Sequence, residues 1–154
     1  MRRLFATAWT IWLFDFATKV WALTSLSSEP RKIFGSFLQF TLVHNSGAAF
    51  NFAAGFAIAF SLLALAVVIA VIYFAPKITS RGWQISIGLL LGGVLGNLTD
   101  RIFREPAFFS GHVIDWIQIP HWPVFNIADS AICIAAVISF ALSLRNVPPI
   151  SRVR

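Results

Sequence analysis

Four stretches of this chain are too apolar and too long to be at home in water, and they leave it few ways to fold. A helix needs about 20 mainly apolar residues to cross the hydrocarbon core of a bilayer. Residues 4–26, 52–74, 83–99 and 124–144 reach or approach that length. Backbone groups in hydrocarbon find no water, so each stretch must satisfy its own hydrogen bonds as a helix. Composition agrees: 58% of the 154 residues are apolar and 12% are charged, with 16 Phe and 6 Trp. A soluble domain runs nearer about 45–50% apolar and about 25% charged. The expected class is an all-α membrane protein of four transmembrane helices in a single domain, residues 1–154.

The net charge of +6 does not point to nucleic acid, because the basic residues stand beside the apolar stretches. Arg2, Arg3, Lys77, Arg81, Arg145, Arg152 and Arg154 flank them on one side, where no Asp or Glu occurs. Arg31, Lys32, Arg101 and Arg104 on the other side are mixed with Glu29 and Glu105. By the positive-inside rule both termini are cytoplasmic. Two outer loops follow, about 27–51 and 100–123. The first stretch is expected to be a retained span and not a cleaved signal, since Asp15 and Lys19 interrupt its apolar run. Cys133 is the only cysteine, which excludes an internal disulfide and a CxxC metal site. It is expected to be a small packed side chain.

Leu38-Gln39-Phe40-Thr41-Leu42 alternates apolar and polar, a strand signal inside the first outer loop. Asn45-Ser46-Gly47 then reads as a turn. A small extracytoplasmic β-like region is therefore expected between the first and second spans, lying on the membrane surface. Gly88, Gly92 and Gly96 recur every four residues in the third span, a stripe that lets a neighbouring helix approach closely.

The polar residues of the spans fall at one depth. At about 1.5 Å per residue, Asp15 and Lys19 lie about 18 and about 24 Å above Arg3, and Asp129 about 24 Å above Arg145. Asn97 and Asp100 lie about 21 and about 26 Å above Trp83. Each charge at such depth costs roughly 2.5–3.5 kcal/mol on insertion scales, so the coincidence needs a cause. Asp15 and Lys19, four residues apart, can neutralise each other. Asp100 and Arg101 form a second candidate pair, and Asn126 and Asp129 share a helix face. An internal polar network that only fixes helix packing would also account for such pairs. Asp129 stands apart, with no basic residue within five positions on either side. Such a carboxyl is expected to be hard to ionise or to share a proton with another carboxylate. Depth alone would pair it with Asp100.

No Ser-His-Asp or Ser-Lys arrangement stands out. His44, His112 and His121 lie in outer loops without HExxH-type spacing, so no metal is expected. Two carboxylates sharing a proton can activate water for peptide hydrolysis without metal or cofactor. Intramembrane Asp, Lys and Asn also suit an ion-coupled transporter, although four spans with no inverted repeat argue against a typical one. A non-enzymatic membrane subunit is the other alternative.

Four local motifs decide among these readings. They are Asp15-Phe16-Ala17-Thr18-Lys19; Asn45-Ser46-Gly47-Ala48-Ala49-Phe50; Gly96-Asn97-Leu98-Thr99-Asp100-Arg101; and Val113-Ile114-Asp115-Trp116 followed by Phe125-Asn126-Ile127-Ala128-Asp129. In this order, from Asp15 to Asp129, the chain resembles the bacterial lipoprotein signal peptidases, the type II signal peptidases. The resemblance implies an intramembrane aspartic endopeptidase of the bacterial inner membrane, with its active site toward the outer face. It would cut diacylglyceryl-modified prolipoproteins just before the lipidated cysteine. It also implies Asp115 and Asp129 as the catalytic pair, so that Asp100 and Arg101 become supporting residues. Asn45, Gly47, Asn97, Asn126 and Ala128 match positions around that site, and Asp15 and Lys19 match a supporting pair on the first helix. Trp116 stands where Phe is usual, and Phe16 where a polar residue is common. The expected partners are the lipidated substrate and membrane lipids, with no nucleic acid, no cofactor and a monomeric chain.

Overall fold

A computed structural model describes residues 1–47, 57–106 and 108–150. Ala48-Ala49-Phe50, the first residues of the expected second span, Arg152 and Arg154 lie outside the described residues. The elements run α1 (Arg2–Ser25), β1 (Arg31–Phe34), β2 (Leu38–Asn45), α2 (Ala57–Phe74), α3 (Arg81–Phe103), β3 (Val113–Gln118) and α4 (Ile127–Leu144). A 3-10 turn, Ala75–Lys77, closes α2. Among the described residues, three helices are long and apolar enough to cross a membrane: α2 with its 3-10 turn, α3 and α4. The 24-residue α1 matches them in length and carries the charges Asp15 and Lys19 inside.

The protein is arranged inside out relative to a soluble domain. Trp9, Leu63, Val137 and Phe140 are exposed, while Asp15, Lys19, Ser86, Asp100, Asp115 and Asn126 are buried. Apolar outer faces suit lipid, and the buried polar groups must then satisfy one another. The helix α3 sits centrally, packed against α1, α2 and α4. Its small residues make this possible. A Cβ on Gly88 or Gly92 would lie 2.6 Å from the carbonyl oxygens of Leu4 and Ala8 in α1. On the opposite side, a Cβ on Gly93 would lie 2.5 Å from the Ala128 carbonyl of α4. Ser86 Oγ lies 2.7 Å from the Ala135 carbonyl it donates to and 2.8 Å from Ser139 Oγ, a polar clasp between α3 and α4.

The strand expected at Leu38–Leu42 extends to Asn45, and its sheet has a third member whose sequence lacks the apolar–polar alternation of a half-exposed strand. The order is β1-β2-β3, all antiparallel, with Phe40 opposite Ile117 and Val43 opposite Asp115. Trp116 of β3 packs edge-on against Trp21 of α1 and Phe40 of β2, at 5.3 and 5.0 Å between ring centres. This aromatic cluster pins the sheet to the C-terminal end of α1. Two further expectations are corrected. Cys133 is exposed on α4, because its position faces away from α3. Asp100 and Arg101 lie within α3, whose helical bonding continues four residues past the expected end at Thr99.

Candidate active site

The sheet and three helices deliver their polar side chains to one buried cluster. Asn126 is the N-cap of α4, and its side-chain oxygen accepts from the Asp129 N–H at 2.9 Å. Asp129 reciprocates, accepting from the Asn126 N–H at 3.1 Å. This capping box satisfies two N–H groups that every helix start leaves open. The folding of the α4 terminus thereby sets the position of the Asp129 carboxylate. Its other oxygen, Oδ1, accepts from Asn97 Nδ2 of α3 at 2.7 Å.

Asp115 comes from β3 and is buried. Its Oδ1 accepts from Asn126 Nδ2 at 2.6 Å, and its Oδ2 accepts from Asn45 Nδ2 at 2.9 Å. Asn45 reaches it diagonally across the β2–β3 ladder, since Asn45 pairs with Val113 and Val43 with Asp115. Gly47, at φ +113, folds back so that its N–H donates to Asn45 Oδ1 at 2.9 Å. An L side chain disfavours that backbone region, which accounts for glycine there.

Among the described residues, each of the four carboxylate oxygens of Asp115 and Asp129 therefore accepts one N–H donor. A carboxylate oxygen offers two lone pairs, so each keeps capacity for a proton or a water. Burial first, and then the charge of Asp129, pushes the Asp115 carboxyl up to about 7; the hydrogen bonds from Asn45 and Asn126 and the charge of Lys19 oppose that rise. The two carboxyls thus sense each other, as members of a proton-sharing pair must.

Behind this pair lies a charged hub. Lys19 Nζ pairs with Asp15 Oδ2 at 2.7 Å and Asp100 Oδ2 at 2.8 Å, and donates to Asn97 Oδ1 at 3.0 Å. Asp15 Oδ1 also accepts from the Ala128 N–H at 2.9 Å, tying α1 to the first turn of α4. Asp100 is held in addition by Arg104 and by the Ile114 N–H of β3. The expected Asp15–Lys19 pair is present. The expected Asp100–Arg101 pair is not, because successive helix residues point about 100° apart. Arg104, one turn on, faces Asp100 instead, and the i, i+4 spacing was a readable signal for it. Asp100 is thus committed to Lys19, Arg104 and β3, which removes it as a hydrogen-bonded partner for Asp129. Arg101 is buried, its guanidinium 5.9 Å from the Phe60 ring, and its Nη1 has no hydrogen-bond partner among the described residues.

An apolar cleft of about 300 Å³ opens beside Asp129, lined by Ile119, Trp122, Phe125, Cys133 and Ile134. The exposure of Cys133 and Ile134 places its mouth on the apolar outside of α4. His44 and His112 line a different cleft with Arg104 and Glu105, while His121 lines a third. Among the described residues, no group of three His, Cys, Asp or Glu side chains is placed to hold a metal.

Comparison with known proteins places the sequence and the fold in a family. Residues 7–145 fit the family described as signal peptidase (SPase) II. A lipoprotein signal peptidase of Streptomyces coelicolor is 45% identical over 147 residues, covering 95% of this chain and 72% of the relative. One from Mycolicibacterium smegmatis is 41% identical over 94% of this chain and 62% of its own length. A solved bacterial membrane enzyme superposes with a TM-score of 0.83 at 27% identity, covering 100% of this chain and 94% of that one. The match over residues 7–145, with relatives 41% and 45% identical over nearly the whole chain, identifies the chain as a member of the signal peptidase II family, and so as a membrane peptidase.

Proposed function

We propose that this chain is an aspartic endopeptidase that removes signal peptides from diacylglyceryl-modified prolipoproteins, cutting just before the lipidated cysteine. The observation that carries the reading is the pair Asp115 and Asp129, with one N–H donor on each of four oxygens and Asp115 pushed up to about 7. One proton is then shared by the pair, and burial of Asp115 favours its protonated form. A water held by both is deprotonated by Asp129 as its oxygen attacks the scissile carbonyl carbon. Asp115 gives its proton to the carbonyl oxygen. The tetrahedral gem-diol collapses as Asp129 gives that proton to the leaving nitrogen, the C–N bond breaks, and Asp115 takes back a proton from a diol hydroxyl, which restores the pair to its starting state.

The other site residues hold this pair. Asn45, Asn97 and Asn126 donate to it, and Gly47 turns Asn45 toward it. Asp15 and Ala128 join α1 to the α4 terminus, and Lys19 and Asp100 link both to α3. Arg101, whose buried Nη1 has no hydrogen-bond partner among the described residues, receives the substrate backbone. The signal helix enters from the membrane, with the apolar cleft beside Asp129 as its approach, and the outer loop 34–43 clamps it. The enzyme acts as a monomer in the bacterial inner membrane, with both termini cytoplasmic and the site toward the outer face. Neither metal nor cofactor enters the scheme.

Purified protein in detergent is offered a diacylglyceryl-modified prolipoprotein and the same precursor without lipid, and products are read by mass spectrometry. Cleavage of the lipidated precursor alone, at the bond just before the modified cysteine, is expected. Equal cleavage of both, or a cut elsewhere, contradicts the substrate assignment.

A further inference from the structure

An asparagine carboxamide can turn by 180° with little change of shape, so its neighbours decide whether it presents NH2 or oxygen. Three carboxamides face the Asp115 and Asp129 carboxylates, and in each the far end meets a group that can only donate. Asn45 Oδ1 meets the Gly47 N–H at 2.9 Å, and Asn126 Oδ1 meets the Asp129 N–H at 2.9 Å. Asn97 Oδ1 meets the Lys19 ammonium at 3.0 Å and Asn126 Nδ2 at 3.1 Å. The first two orientations are fixed by backbone. The third is set by side chains of two other elements, Lys19 of α1 and the Asn126 N-cap of α4.

We propose that Lys19 is a positioning residue for the reaction, locking the Asn97 carboxamide so that its NH2 group faces Asp129. The proposal rests on the reading of Asp115 and Asp129 as the reacting pair. An ammonium can donate but not accept, and Lys19 donates to Asn97 while forming ion pairs with Asp15 and Asp100. Turning Asn97 would set its NH2 against that ammonium in a site where Lys19 is 1% exposed. It would also set a carbonyl oxygen against Asp129 Oδ1, now 2.7 Å from Asn97 Nδ2. At that burial bulk water does not relieve either clash, and buried groups without partners are costly. Asp129 takes its second donor from the Asn126 backbone, so Asn97 is the donor that α3 supplies, and Lys19 together with Asn126 Nδ2 orients it.

The test is a double-mutant cycle read in single-turnover cleavage of lipidated prolipoprotein. D15N/K19Q removes one positive and one negative charge together. The amide that replaces the ammonium can present either its NH2 or its oxygen, so the lock is lost while the hub's net charge is kept. The maximal rate is expected to fall about tenfold with KM within about twofold. In an N97A background the same two substitutions are expected to change the rate by no more than about twofold beyond D15N alone, whose contact with Ala128 does not run through Asn97, because a Lys19 that acts through Asn97 has nothing left to orient. Equal losses in both backgrounds overturn the proposal. Thermal unfolding in detergent monitors the fold. Where D15N/K19Q loses it, N97D carries the test. That variant keeps a partner for Lys19 but presents no hydrogen to Asp129, so a rate loss of about tenfold without a lower Tm is expected. Parental rate in N97D overturns the lock. Activity in D115N or D129N sinks the underlying reading of the pair, whereas inactive dyad variants with equal losses in the cycle sink the lock alone.

Discussion

Asp115 and Asp129 each accept two hydrogen bonds, yet Asp115 is fully enclosed and Asp129 borders a cleft. Enclosure raises the Asp115 carboxyl to about 7, so the fold favours its protonated form. Two consequences follow. Cleavage that needs this proton should fall as pH rises through about 7, giving the rate profile a basic limb there. The stability that Asp115 contributes is full below the unfolded carboxyl value of 3.8 and is lost as pH climbs toward about 7. Asn45 opposes the rise by donating to Asp115. Asn45→Ala should therefore move the basic limb to higher pH; a limb that stays put or moves down contradicts the assignment. Asp129 was legible in the sequence as the intramembrane acid without a nearby cation. Asp115 was not, because its partner Asn45 is 70 residues away and only the sheet register joins them. Family resemblance supplied what local spacing could not.

Elements act on the site through their ends and their contact faces. Asn126→Ser should keep α4, since Ser is a good N-cap, while removing the donor to Asp115. Helical circular dichroism near parental with cleavage reduced at least about tenfold is expected; undiminished cleavage would show that the capping role suffices. The glycine stripe was readable as close helix contact, and each position now has its neighbour. Gly92→Ala drives a methyl toward the Ala8 carbonyl and should cost about 1–3 kcal/mol of stability, as overpacking does. Gly96→Ala meets Asp15 Oδ2 at 2.5 Å instead, so it should lower cleavage more than Gly92→Ala does at similar loss of Tm. Equal effects on cleavage would deny Asp15 its part in holding the site. The strand β3 was hidden by its own burial. Val113, Ile114, Asp115 and Trp116 are all buried, so the alternation that reveals a half-exposed strand is missing.

At the scale of the molecule, apolar outer faces and a polar interior follow directly from the four apolar stretches, and composition made that class legible. The charge asymmetry predicts the orientation. A fluorescent protein fused at either terminus should be bright, and a periplasm-dependent phosphatase inserted between Gly35 and Ser36 should be active; the reverse pattern contradicts it. What composition could not convey is how α1, α3, α4 and the sheet converge, because that depends on contacts such as Asp15 with Ala128 and Lys19 with Asn97, 113 and 78 residues apart. The most direct test of the carboxylate pair is cleavage of lipidated prolipoprotein by purified D115N and D129N. Both variants should keep the parental helical signal and yield no product above background. Cleavage at the parental rate by either one would contradict the pair as the reacting groups.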